Sequence, residues 1–176
     1  MGLFPARPDT PLRLGGYLSG PSRQRCAADP AFLGSRFDLM GFSAYDGDML
    51  ARCAQLMGLV PAVDFQFDLL PQGSLGSTFG LSLSFGGCRP SDVGACFAEG
   101  YGAQLMRLLE AWGLVDERWR LIADTVSARG VSYEREDGST GRLATSVRLN
   151  FAKVKFVGAV PRTAKFYLVL SVQDLA

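Results

Sequence analysis

The chain has 176 residues, with 18 Lys and Arg against 17 Asp and Glu, and it contains no histidine. That length suits one domain with a proper core, and a hydrophobic fraction of 48% excludes a disordered chain. A net charge of +1 gives no electrostatic footprint for nucleic acid or an anionic membrane, and the missing imidazole excludes Ser-His-Asp and Cys-His catalysis and His-ligated metals.

Residues 1–42 are rich in Pro, Gly and Arg. Their breakers predict an extended arm or irregular loops, with RLGGYL as a short edge strand. Residues 43–176 are read as a single α+β domain. Residues 43–59 predict a helix capped by Asp46 or Asp48, with Met49, Leu50, Cys53, Leu56 and Met57 as its buried stripe. AVDFQFDLL and STFGLSLSF then predict an antiparallel hairpin around PQGSLG. Val63, Phe65, Phe67 and Leu69 take one face with Phe79, Leu81, Leu83 and Phe85. Asp64, Gln66 and Asp68 take the other, beside Thr78, Gly80, Ser82 and Ser84.

A Gly-rich link leads to helical residues 91–112, with Phe97, Tyr101, Leu105, Leu108, Leu109 and Trp112 as the apolar stripe and Gly100 and Gly102 as points of kinking or splitting. Asp116 predicts the cap of another helix, DERWRLIADTVSARG, ended by Gly130. VSYERE, a DG turn and a long segment from Gly141 to Gly158 follow, with FAKVKFVG and AKFYLVLSV as the last two strands. In the final strand Ala164, Phe166, Leu168, Leu170 and Val172 are assigned to the core, and Lys165, Tyr167, Ser171 and Gln173 to the opposite face. The order predicts an α+β fold: an antiparallel sheet of about five strands with helices packed on one face.

The cysteines, Cys26, Cys53, Cys88 and Cys96, form no C-x-x-C pair and read as reduced, mostly buried thiols. No metal site and no cofactor are expected. FGGCRPSDVG lacks the spacing of a phosphate loop and reads as a connection. The first residues have no signal-peptide run, and no stretch approaches the roughly 18 apolar residues of a membrane span, so a cytoplasmic setting is expected. Asp64 and Asp68 are about 13 Å apart along one strand face at ~3.3 Å per residue, too far to share a metal unaided. With Gln66 they read first as a solvated face.

Lysine occurs only at Lys153, Lys155 and Lys165, and with Arg162 and Asp174 these give the segment from residue 151 a charge of +3. Lysines on exposed strands guard sheet edges against aggregation, and that is the bland reading. The functional reading is an anion or carboxylate contact, with Lys165 and Tyr167 as the leading pair.

The order from LLPQGSLGSTFGLSLSF through LMRLLEAWGLVDERWRLI to NFAKVKFVGAVPRTAKFYLVL carries a resemblance. It resembles the C-terminal half of longer bacterial proteins found beside ribosomally made peptides, specifically the peptide-binding proteins of crocagin biosynthesis. The match spans roughly residues 60–172 and rests on Asn150 with Lys153 or Lys155, then Ala164, Lys165, Tyr167 and Leu168. It implies a non-catalytic protein that holds a precursor peptide for modifying enzymes of the same pathway. Expected peptide contacts are Lys153, Lys155, Lys165, Tyr167, Asp64, Gln66 and Asp68. A half-length member exposes a sheet edge, which two copies cover as a homodimer. The same ending resembles, more faintly, aromatic prenyltransferases of the ααββ-barrel type, which makes a cofactor-poor cyclase or prenyl-transfer domain using Asp64, Lys165 and Tyr167 the alternative.

Overall fold

The computed structural model describes residues 2–4, 11–85 and 92–174. The chain folds as an α+β domain with helices on one face of an antiparallel sheet. Among the described residues the sheet has seven strands: β1 (Gly2–Phe4), β2 (Leu12–Leu18), β3 (Ala62–Leu69), β4 (Leu75–Ser84), β5 (Ser127–Glu134), β6 (Thr140–Val157) and β7 (Val160–Asp174). The main order is β1-β2-β3-β4-β6-β5, and β7 pairs with β6 as well. Seven strands stand where about five were expected.

Residues 12–42 are not the irregular arm that their composition suggests. After β2 come two helices, α1 (Gly20–Ala28) and α2 (Pro30–Met40). Each proline sits in a first helical turn, where its missing N–H leaves no bond unmade and its fixed φ favours the helix. Ser19 caps α1, and the Asp29 carboxylate caps α2 by accepting from the Ala31 N–H at 3.0 Å. RLGGYL is a strand, as expected, but it is flanked by β1 and β3.

α3 (Gly47–Leu59) starts where Asp46 accepts from the Met49 N–H at 2.8 Å. It buries the whole expected stripe from Met49 to Met57. The next helical stretch is split at Gly100 into α4 (Val93–Ala98) and α5 (Tyr101–Ala111). Asp116 caps only a 3-10 turn (Glu117–Leu121) that leads into α6 (Ile122–Thr125). The expected helix to Gly130 is cut short because residues from Ser127 onward pair with β6. α1 packs on α3 and β3, and α3 on β4 and α5. Between this layer and the sheet, Phe37, Phe42, Phe67 and Phe79 form an aromatic cluster, with Phe37 and Phe79 4.9 Å apart.

β6 runs through two environments. Residues 151–157 pair with β4 on one edge, and residues 140–147 pair with β5, while β7 follows the opposite edge of both. The register shifts between Leu149 and Phe151, leaving Asn150 as the extra residue of a bulge. The Asn150 carbonyl accepts from the Phe85 N–H at 3.2 Å. The bulge resets the alternation, so Leu149 as well as Ala152, Val154 and Phe156 is buried.

The core assignment of the final strand holds only for its first part. Ala164 and Phe166 pack against the core, but Leu168, Leu170 and Val172 are 47%, 68% and 60% exposed. They keep the phase expected of them, on a stretch of β7 that has run past the helices.

Candidate functional site

The face of the sheet opposite the helices is polar and open. Registers across five strands set its rungs. One rung reads Tyr17, Asp64, Ser82, Lys153, Lys165, and the next reads Gly15, Gln66, Gly80, Lys155, Thr163. Arg13 and Asp68 form part of a third. Where these rungs meet lies a cavity of about 240 Å³, lined by Arg13, Gln66, Asp68, Thr78, Gly80, Lys153, Lys155, Thr163, Lys165 and Tyr167.

Six of the seven contact residues expected from sequence line this one cavity: Lys153, Lys155, Lys165, Tyr167, Gln66 and Asp68. Asp64 shares the face and Lys153's rung but stays outside the lining, exposed beside Tyr17. Edge protection does not account for Lys153 and Lys155. Their strand has neighbours on both sides at that point, β4 and β7.

Lys153 is half-buried at the floor. Gly80 makes room for it. A Cβ at that glycine would stand 3.1 Å from Lys153 Cε, so the absent side chain lets the lysine stem lie flat across β4. Lys153 Nζ donates to Gln66 Oε1. Burial pulls the ammonium down to about 8; Arg13, Lys155 and Lys165 push the same way, and Asp68 opposes them. Asp68 is itself buried and accepts from Arg13 Nε at 3.3 Å. At the rim the Tyr167 ring stacks on Phe151 with centroids 4.3 Å apart.

Four cationic side chains against one carboxylate leave the lining with three excess positive charges. A carboxylate or similar anion would relieve the repulsion among them, and the stacked Phe151 and Tyr167 offer an apolar ledge next to it. Sequence reasoning missed Arg13, Gly80, Thr78 and Thr163 as parts of this site. Arg13 was detectable, since RLGGYL alternates and puts Arg13 and Gly15 on the phase opposite Leu12 and Leu14. Which strand it would pair with was not.

Cys26, Cys53 and Cys96 are buried free thiols, and burial pushes the Cys53 thiol far up. Cys88 lies outside the described residues. Among the described residues no group of three or more Cys, Asp or Glu side chains is placed to hold a metal, and no helix is long and apolar enough to cross a membrane.

Comparison with known proteins gives no relative: no family model, no curated protein and no solved structure matches this chain. What defines it is an α+β domain bearing a cationic cavity on the open face of its sheet.

Proposed function

We propose that this chain is a non-catalytic binding protein that holds a ribosomally made precursor peptide by a carboxylate while modifying enzymes act on it. The observation that carries this reading is the cavity that gathers Arg13, Lys153, Lys155 and Lys165 beside the Phe151–Tyr167 ledge. Such a site takes an acidic side chain or a C-terminal carboxylate, with an aromatic or aliphatic neighbour lying on the ledge. The resemblance to the peptide-binding proteins of crocagin biosynthesis supplies the peptide class, and the setting is the cytoplasm.

The working unit is a homodimer. β7 has a neighbour on one edge only among the described residues, and Leu168, Leu170 and Val172 lie bare beside it. A second copy satisfies both features. Light scattering should give about twice the 18.9 kDa chain mass, and a monomer mass at tens of micromolar counts against the dimer.

The test of binding is calorimetric titration with the peptide encoded nearest the gene, before and after its carboxylates are amidated. Saturable binding that amidation abolishes supports the reading. Equal binding by the amidated peptide removes the carboxylate from it, and no binding by either form removes the peptide.

A further inference from the structure

The chain has 18 basic residues, and only Lys153, Lys155 and Lys165 are lysine. All three line the same cavity, while arginine serves at every other cationic position. A guanidinium stays charged at any accessible pH and grips carboxylates with a planar fork. An ammonium releases its proton when desolvated among other cations and becomes a nucleophile. If the floor of the cavity needed charge alone, arginine, already present in the lining as Arg13, would serve there.

The geometry selects Lys153 among the three. It lies at the floor over Gly80, and Gln66 holds its Nζ. The charged groups facing it are Arg13 from β2, Asp64 and Asp68 from β3, Lys155 from its own strand and Lys165 from β7. β4 contributes only the uncharged Thr78, Gly80 and Ser82. A pKa near 8 leaves a useful fraction of neutral amine at physiological pH.

We propose that Lys153 captures a 2-oxo carboxylic acid as an imine, with Arg13, Lys155 and Lys165 holding its carboxylate. Neutral Nζ attacks the keto carbon, forming the C–N bond as the carbonyl oxygen takes up a proton. The nitrogen sheds its two protons in turn, the C–O bond breaks, and the oxygen leaves as water. Amine plus ketone becomes imine plus water, with no change in oxidation state. The carbonyl must adjoin the carboxylate, because cross-strand neighbours such as Lys153 and Lys165 have Cβ atoms only about 5 Å apart. A cavity of about 240 Å³ suits a small acid of this kind. The inference rests on the cavity receiving a carboxylate, not on that carboxylate belonging to a peptide.

The experiment incubates the full chain with pyruvate and cyanoborohydride and maps the product by mass spectrometry. The expected result is a gain of one pyruvic acid less one oxygen on Lys153, with about tenfold less on Lys155 and Lys165. Lys153→Arg should abolish the adduct at this position, because a guanidinium forms no imine with a ketone under these conditions. Mapping of the unmodified sequence decides the matter even if Lys153→Arg does not fold. No adduct on Lys153, or even labelling of all three lysines, overturns the proposal. Equal labelling by acetone overturns the carboxylate clamp. Calorimetry with the acidic peptide on the same preparation separates the two readings: peptide binding without adduct leaves the binding function standing and removes the capture.

Discussion

The two halves of the β6–β7 hairpin are the same pair of strands with different fates. In the half from Phe151 to Tyr167 one face packs on the helices and the other forms the cavity. In the half from Thr140 to Leu149 and Leu168 to Asp174 the alternation continues, yet Leu170 is 68% exposed where Phe156 is 0%. Alternation says which side chains share a face. Burial also requires another layer over that face, and the helices reach only the first half. The second half is held from within: the Tyr133 hydroxyl donates to Asp174 Oδ2 at 2.9 Å, and Arg135 pairs with the same carboxylate at 3.6 Å. Tyr133 leans over Gly141, where a Cβ would stand 2.5 Å from the ring.

The sharpest way to break this comparison is a pair of truncations. In urea unfolding of the protein diluted to monomer, Phe156→Ala should destabilise the domain by about 3–5 kcal/mol, whereas Leu170→Ala should change stability by about 0.5 kcal/mol or less. Equal losses in the monomer would mean that the chain itself covers the second half. Next comes the outer face of the first half. Replacing Lys165 and Tyr167 together with Ala should leave the fold nearly intact and weaken peptide binding by about 1–3 kcal/mol in calorimetry.

Lys153→Met sharpens the comparison through pH. In the native state Lys153 binds its proton less tightly than in the unfolded chain, about 8 against 10.5. Stability of the unmodified protein therefore rises as pH climbs between those values, because the unfolded state holds more protons there. The Met variant should lack that rise. It should also melt higher at pH 7, by about 2–4 °C for each ~1 kcal/mol of relieved burial penalty. The smallest effect belongs to Tyr133→Phe, which removes one exposed hydrogen bond and should shift stability by about 0.5 kcal/mol or less.

Much of the site was legible because strands advertise their faces. Asp68 and Gln66 alternate with Phe67 and Phe65, and Lys153 and Lys155 alternate with Val154 and Phe156, so each pair declares its side without knowledge of the fold. What joins them beyond the local hairpins, the pairing of β2 with β3 and of β4 with β6, is a pair of long-range registers, and Arg13 and Asp68 meet across 55 positions. No local pattern encodes that. Pro21 and Pro30 misled for a different reason. Proline breaks helix interiors but begins helices well, and only the capping residues Ser19 and Asp29 distinguish the two uses. Leu168, Leu170 and Val172 alternate like core residues, yet hydrophobicity alone does not supply the layer that burial needs.

The concentration of every lysine in one cavity has a practical side. Reagents that couple to primary amines, among them the common ester dyes, aldehyde fixatives and activated sensor surfaces, have no side-chain target on this chain apart from the three that line the cavity. Immobilising the protein by its side-chain amines would therefore plug the cavity, and a null result from such a surface would describe the coupling chemistry. Attachment through an added terminal tag leaves the cavity open, and protection of the three lysines from dye coupling by a candidate ligand becomes a direct reading of occupancy.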